Sequence, residues 1–170
     1  MTHPALAPRA LTAADLPGLL AVQQACYGEA LVESSALFAR RLASPANCSL
    51  VLEQAGRVCA YLAAYVAQRG KVTPLHGDFE ASPHADTLYL HDLAVRPDCS
   101  GQGQGQALLQ TLWAHAAARG LRRSALVSVQ DSQAFWERRG YTPQPLDSPQ
   151  QRSRLASYGD GALYMVRALP

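Results

Sequence analysis

The stretch HDLAVRPDCSGQGQGQALLQTLWAHAAARG, His91–Gly120, joins an apolar run to a long amphipathic segment through a loop of glycine and glutamine. Thr87–Val95 is rich in β-branched and aromatic residues, which predicts a buried strand. An apolar stripe predicts a helix over Gln106–Arg119 that ends at Gly120; its members are Leu108, Leu109, Leu112, Trp113 and Ala116. A bare glycine loop at such a junction exposes unpaired backbone N–H groups at the positive end of a helix, so it predicts a phosphate site.

Two common phosphate-binding motifs do not fit this loop. A nucleoside-triphosphate loop ends in Gly-Lys-Ser/Thr, whereas Gly105 is followed by Gln106-Ala107. A dinucleotide fold needs Gly-x-Gly-x-x-Gly after its first strand, whereas this spacing is Gly-x-Gly-x-Gly and lies mid-chain. The sequence therefore indicates a phosphate cradle of another kind.

The rest of the chain predicts one domain over residues 1–170. The predicted helices are Leu11–Gly28 with Thr12 as N-cap, Ser34–Leu42, and the short Asp131–Arg139. The predicted strands are the hairpin Cys48–Glu53 and Arg57–Gln68, then Ser124–Val129 and Ala162–Leu169. Gly70–Asp86 and the polar segment Pro143–Gly161 are expected to be loops.

Composition excludes several classes of protein. The 170 residues are 48% hydrophobic and 16% charged with a net charge of +2, which is typical of a globular domain and gives no reason to expect nucleic-acid or membrane binding. No apolar run approaches the ~20 residues of a membrane span, and the N-terminus has no signal-peptide pattern. The four cysteines show no metal-ligand spacing. We expect a cytoplasmic protein with reduced thiols and no metal.

The segment LAVRPDCSGQGQGQALLQTL resembles the acyl-CoA-binding motif of the GNAT N-acetyltransferase superfamily. The residues in register are Leu93, Val95, Gly101, Gly103, Gly105, Leu108 and Leu109. AFWERRGYTP, Ala134–Pro143, is similar to the second CoA motif of that family, and the order of elements agrees along nearly the whole chain. The resemblance implies an α+β (mixed α/β) fold: a central, mixed, mostly antiparallel sheet of about six to seven strands flanked by about four helices.

The resemblance also implies acetyl-CoA as cosubstrate and a set of residues that bind it. That set is Leu93, Ala94, Val95, Ser100, Gly101, Gln102, Gly103, Gln104, Gly105, Gln106, Ser132, Phe135 and Trp136. Two positions depart from the family pattern. Ser100 stands where the family usually has Arg or Gln, and Trp136 stands where it frequently has a general-acid Tyr. An indole has no labile proton for the departing thiolate, so water or another residue must supply it, or no acid is needed.

The implied reaction is direct attack of a primary amine on the thioester. HDLAV resembles the His-x-Leu-Ala-Val of arylalkylamine N-acetyltransferases, which implies that His91 acts as the catalytic base or as part of a water relay. A hydrogen-bonded core histidine explains the same residue. Strand alternation predicts that His91 shares a face with Tyr89 and Leu93, while Asp92 points to the opposite face.

The acceptor end is less well defined by the sequence. Tyr27, Glu29 and Tyr158 are candidate substrate-binding residues, and Glu33 is a further one. A solvated loop is the favoured explanation for the two glutamates and an equally good one for Tyr27. The loop containing His76, Asp78 and His84 is expected to be a plain loop or a lid, without metal. We expect a small-molecule amine acceptor; a peptide or protein acceptor and a non-catalytic CoA-binding module remain as alternatives, and the resemblance allows a homodimer.

Overall fold

A computed structural model describes residues 6–170. Its helices are α1 Leu16–Cys26, α2 Ser35–Ala43, α3 Gln104–Ala118, α4 Gln133–Glu137 and α5 Pro149–Ala156, with 3-10 turns at Ala13–Asp15, Glu29–Leu31 and Pro97–Cys99. Its strands are β1 Arg9–Ala10, β2 Leu50–Gln54, β3 Arg57–Ala67, β4 Thr87–Val95, β5 Arg123–Ser128, β6 Thr142–Pro143 and β7 Leu163–Ala168. They form one seven-stranded sheet in the order β1-β2-β3-β4-β5-β7-β6. The predicted mixed, mostly antiparallel α+β fold is confirmed.

The sheet has one hydrophobic core on each face. The first core packs α1 and α2 against the sheet through residues such as Leu19, Val22 and Phe38. The second core packs α3 and α4 against the other face, with Leu108, Leu109, Leu112, Ala116 and Trp136 among its members. Alternate residues of β3 pack in the first and the second core, so nearly all of this strand is buried. Strand β3 is therefore covered by helices on both faces of the sheet.

Strands β4 and β5 form the only parallel pair among the described strands, and they separate part of the way along. Pairing runs from Thr87 with Arg123 to Leu90 with Leu126 and then stops. Both strands continue, β4 to Val95 and β5 to Ser128. Beyond Leu90 the β5 side of β4 is therefore open, and a wedge forms in the middle of the sheet.

A β-bulge in β4 overturns the predicted orientation of Asp92. Strand β3 pairs Ala63 with Asp92 and Ala64 with Leu90, so His91 is an extra residue without a partner. The ring of His91 packs edge-on against Phe79 of the first core, and Asp92 accepts a hydrogen bond from a tyrosine of that same core. The bulge thus turns His91 and Asp92 to one face, whereas Leu93 packs on the second core.

The remaining differences from the predicted elements are local. Helix α3 begins at Gln104, two residues before the predicted start, so Gly105 is helical. The segment expected to be a polar loop contains α5, whose N-cap Ser148 accepts from the backbone N–H of Gln151 at 3.4 Å. Between Leu6 and Pro170, none of the helices is long and apolar enough to cross a membrane.

Helix α1 lies so close to β3 that Gly18 has no room for a side chain. A Cβ on Gly18 would lie 2.7 Å from Cγ2 of Val58, whereas a Cβ on Gly28 would meet nothing within 4 Å. We expect Gly18→Ala to lower the free energy of unfolding by about 1–2 kcal/mol, because overpacking outweighs the gain in helix propensity. Gly28→Ala is the matched control and should change it by less than about 0.5 kcal/mol. Urea denaturation of both variants measures this; equal stability would show that α1 moves freely on β3.

Candidate active site

The loop between β4 and α3 presents a run of free backbone donors. None of the N–H groups of residues 101–106 donates to an acceptor within the described chain; the first helical bond runs from Ala107 N–H to the carbonyl of Gly103 at 2.9 Å. Gly101 and Gly103 have φ values of +79° and +82°, which favour glycine. These donors surround the N-terminus of the 15-residue helix α3, where the helix dipole is positive. Such a loop is suited to bind an anion.

The wedge between β4 and β5 opens into a cavity of about 510 Å³ that begins at this loop. It brings together most of the residues predicted to bind CoA: Leu93, Val95, Ser100, Gly101, Gly103, Gln104, Gly105, Gln106, Ser132, Phe135 and Trp136. Ala94 is buried on the first core and Gln102 is exposed, and neither is among the lining residues. His91, Tyr27 and Tyr158 line the same cavity. Glu29 is exposed and lies outside the lining.

Backbone groups of β4 face the open wedge. The carbonyl of Leu93 accepts from Tyr27 Oη at 3.1 Å, and the carbonyl of Val95 accepts from Cys26 Sγ at 3.2 Å. Both donors come from the C-terminal end of α1 rather than from a neighbouring strand. Because the N–H and the carbonyl of a strand residue lie on the same edge, the amides of Leu93 and Val95 also face the wedge. A ligand lying along β4 therefore meets two more donors.

Glu33 is buried at the far end of the cavity, not solvated as its loop position suggested. Its side chain is 3% exposed and that of Arg41 is 1% exposed. Its two oxygens accept from Arg41 Nη1 at 2.8 Å and Nη2 at 2.6 Å, from His91 Nε2 at 2.8 Å and from the His76 backbone N–H at 3.0 Å. Burial opposes ionisation of Glu33, but the hydrogen bonds from Arg41 and His91 outweigh it and hold the pKa of the carboxyl below its usual range.

One feature of the sequence could have identified this ion pair. In α2 the buried residues are Leu37, Phe38 and Arg41, so a charged residue lies on the apolar stripe. An arginine there must have an internal partner, since unpaired burial of a charge is costly. The partner was not apparent because Glu33 precedes the helix and is oriented by tertiary contacts.

His91 is held by one nitrogen only. With Nε2 hydrogen-bonded to the Glu33 carboxylate, the neutral ring carries its proton on Nε2 and its lone pair on Nδ1. Nδ1 is buried and has no hydrogen-bond partner within residues 6–170, and the whole side chain is 2% exposed. The arrangement fixes the tautomer and leaves one basic atom unused.

Asp92, which the sequence prediction directed away from this face, forms a second buried carboxylate beside His91. Tyr27 Oη donates to its Oδ1 at 2.6 Å, and Tyr61 Oη donates to its Oδ2. Burial raises the pKa of Asp92 above its usual value, and the two phenol hydrogen bonds only partly oppose this rise. Burial also raises the pKa of both phenols. The three groups thus form a compact, buried hydrogen-bond network.

Two segments that are distant in sequence cover the end of the cavity where Glu33 lies. The loop of residues 68–86 packs Phe79 face to face on Tyr65, with centroids 4.4 Å apart. The α5 region bonds to this loop: Tyr158 Oη donates to the Thr73 carbonyl at 2.6 Å, and the Leu75 N–H donates to Ser157 Oγ at 3.1 Å. Within residues 6–170, no cluster of His, Cys, Asp or Glu could hold a metal ion.

The buried pair of Glu33 and Arg41 should dominate stability in this region. We expect Arg41→Met to lower the free energy of unfolding by about 3–5 kcal/mol at neutral pH, because it leaves Glu33 charged and buried. The depressed pKa of Glu33 contributes stability that is present above its unfolded-state value and lost as the pH falls. Without Arg41 that pKa rises, so the deficit of the variant should shrink between pH 8 and pH 5.

Arg40→Met is the matched control for that measurement. Arg40 precedes Arg41 on the same helix, and its pair with Asp78 is 59% and 55% exposed on its two sides. Arg40→Met should lower the free energy of unfolding by less than about 0.5 kcal/mol. Chemical denaturation across the pH range measures all three proteins, and a deficit of Arg41→Met that is independent of pH would contradict the role given to Glu33.

Comparisons with known proteins agree with this geometry. The family model described as "Acetyltransferase (GNAT) family" matches residues 16–141, whereas no curated protein matches the chain in sequence. Among solved structures, the ribosomal-protein-S18-alanine N-acetyltransferase from Escherichia coli is 22% identical with a TM-score of 0.68, over 95% of this chain and 92% of that one.

Two further structures bind CoA compounds. N-acetylglutamate synthase from Neisseria gonorrhoeae, complexed with coenzyme A and N-acetyl-glutamate, is 19% identical with a TM-score of 0.73, over 99% of this chain and 36% of that one. The GphF GNAT-like decarboxylase, in complex with isobutyryl-CoA, is 22% identical with a TM-score of 0.74, over 96% and 99% of the two chains. These identities show a common fold and no more. The family model covers most of the chain, and the chain therefore belongs to the GNAT acetyltransferase family.

Proposed function

We propose that this protein transfers an acetyl group from acetyl-CoA to a primary amine of a small molecule, by direct attack within a ternary complex. The observation that carries the proposal is the run of unpaired N–H groups at residues 101–106 beside the open edge of β4. The loop would hold the diphosphate of CoA, and the wedge would take the pantetheine arm. The thioester would then lie along β4 near Leu93, where backbone donors can stabilise an oxyanion.

The cover over the acceptor end supports a small acceptor. Hydrogen bonds between the α5 region and the loop of residues 68–86 close this side with backbone groups as well as side chains. Leu31, Leu75 and Tyr158 line the space beneath. An extended peptide would require this cover to open, whereas a small amine would not.

The charges at this end support an amine that reacts in its neutral form. Glu33 already accepts from Arg41, His91 and the backbone, and Asp92 already accepts from two phenols. Neither carboxylate has an oxygen left without a partner. The unused Nδ1 of His91 can take a proton from the arriving ammonium, directly or through water. We assign His91 as the base and the Glu33 carboxylate as the group that orients it.

No side chain near the donor replaces the missing family acid. Trp136 is 8% exposed and packs in the second core against Phe135 and Tyr141. The hydroxyls of Tyr27 and Tyr158 line the cavity, but each already donates to an internal acceptor. Protonation of the thiolate is assigned to water.

The proposed diphosphate site at residues 101–106 can be tested by a pair of alanine substitutions at the two ends of α3. Gly103 and Gly120 have φ values of +82° and +81°, and a Cβ added at either position would meet no atom within 4 Å. Alanine should strain both positions by about 1 kcal/mol. The backbone at Gly103 would relax to relieve that strain, and the N–H groups of residues 101–106 would then turn away from the ligand. Calorimetry should therefore show that Gly103→Ala binds CoA at least about tenfold more weakly than the wild-type protein does. Gly120→Ala should leave the affinity unchanged; no binding to the unmodified protein would refute the proposal.

Thiol release from acetyl-CoA across a panel of acceptors tests the reaction itself. Turnover with small primary amines supports the proposal, and turnover with peptides alone would assign a protein acceptor. CoA binding without turnover on any amine would assign a non-catalytic module. Propionyl-CoA and isobutyryl-CoA in the same panel determine whether the donor is specifically the acetyl thioester.

A pH profile tests the role of His91. We expect His91→Gln to lower kcat/KM by about 100-fold near neutral pH, since the amine then loses its proton acceptor. Activity should partly recover at alkaline pH, where the amine is already neutral in solution. The control is His84→Gln, because His84 is an exposed loop residue. A folded His91→Gln protein with the wild-type pH profile would exclude His91 from the proton transfer.

A further inference from the structure

A second cavity adjoins the proposed CoA site and is lined by arginine without any acid. Its lining residues are Gln106, Trp113, Arg138, Arg139, Gly140 and Arg167. Of the 14 arginines of the sequence, six form an ion pair with a carboxylate: Arg9, Arg40, Arg41, Arg57, Arg96 and Arg123. No such pair forms at Arg138, Arg139 or Arg167 within residues 6–170. The nearby carboxylate of Glu137 instead accepts from Gln133 Nε2 at 2.7 Å.

Two of these guanidinium groups are held rigidly by aromatic rings. The guanidinium carbon of Arg167 lies 4.1 Å from the ring centroid of Trp113, and its Nη1 donates to the Arg139 carbonyl at 2.9 Å. The guanidinium carbon of Arg139 lies 3.5 Å from the ring centroid of Phe135, and its Nη1 donates to the Phe135 carbonyl at 3.0 Å. Their Nη2 groups donate to nothing else in the described chain. Such preorganised donors suit a phosphate.

The side chain of Arg138 completes the cluster. It is exposed and forms no hydrogen bond or ion pair with another described residue. Burial lowers the pKa of Arg139, and the charge of Arg138 lowers it further. The three residues thus concentrate positive charge at one place in a chain whose net charge is only +2.

The position of the arginine cluster beside the glycine loop indicates which part of CoA it could bind. Gln106 and Arg139 line both cavities, so the two cavities share a wall. In CoA the ribose that carries the diphosphate on its 5′-oxygen carries a phosphate on its 3′-oxygen. A diphosphate on residues 101–106 therefore leaves the 3′-phosphate one sugar away. We propose that Arg138, Arg139 and Arg167 bind the 3′-phosphate of CoA.

This inference rests on the proposed function and adds a selectivity to it. Thioesters of pantetheine also occur on carrier proteins, where the phosphopantetheine arm has no adenosine and no 3′-phosphate. An arginine cluster that contributes to binding only through that phosphate selects free acyl-CoA over a carrier-bound acyl group. Selection against 3′-dephospho-CoA follows from the same contact.

Calorimetric titration with CoA and 3′-dephospho-CoA tests the proposal. We expect the wild-type protein to bind CoA at least about tenfold more tightly than 3′-dephospho-CoA, as charge-assisted hydrogen bonds to a phosphate would give. The variant Arg138→Gln/Arg167→Gln should lose most of this preference while its affinity for 3′-dephospho-CoA stays the same. Arg167→Lys, which keeps the charge, should retain part of it. Arg40→Gln removes an arginine from the opposite face of the sheet and is the control.

The outcomes separate this inference from the proposed function. Equal binding of CoA and 3′-dephospho-CoA by the wild-type protein would overturn the arginine site and leave the proposed function intact. A preference that survives in the double variant would overturn it as well. No binding of either compound would overturn both. The expected preference should also weaken at high salt, because the cluster is partly exposed.

Discussion

The end of pairing between β4 and β5 is the constraint on which the rest of the site depends. After Leu90 and Leu126 the two strands no longer share hydrogen bonds, so one edge of β4 keeps its backbone donors for a ligand. A sheet edge in the middle of a domain is normally covered or paired. Here it leads directly into the free amides of the glycine loop. The fold therefore provides a continuous line of backbone donors along β4 and the loop of residues 101–106.

The part of the candidate site formed by β4, the glycine loop and α3 could be predicted from sequence because local rules determine these elements. The apolar strand, the glycines and the stripe of α3 are adjacent in the chain, and each follows from propensity or periodicity. Helix α3 begins two residues before the predicted start, since Gly105 is a poor helix former and hides the first turn. Helix α5 was missed because it has no buried residue and so no apolar period; only Ser148 and Pro149 mark its beginning.

The bulge at His91 shows where a periodic rule fails for a physical reason. Alternation holds only while each residue of a strand has one partner, and β3 supplies one residue fewer than β4 at this point. The sequence HDLAV does not predict the bulge, since a bulge does not require a particular type of residue. Its consequence is chemical: an imidazole and a carboxylate that would lie on opposite faces now lie on the same face, each with a different set of partners.

The cluster around Glu33 and His91 was beyond sequence analysis because its residues meet only through tertiary packing. Arg41 of α2 binds Glu33 and also donates to the Gly77 carbonyl at 3.0 Å from Nε, so one buried cation connects the helix, the preceding segment and the covering loop. The same Glu33 carboxylate orients His91 of β4. Removal of that cation would therefore disturb the position of His91 and of the covering loop together. One buried ion pair thus links the stability of this region to the geometry around His91, whereas the glycine loop depends on the backbone conformation of residues that are adjacent in the chain.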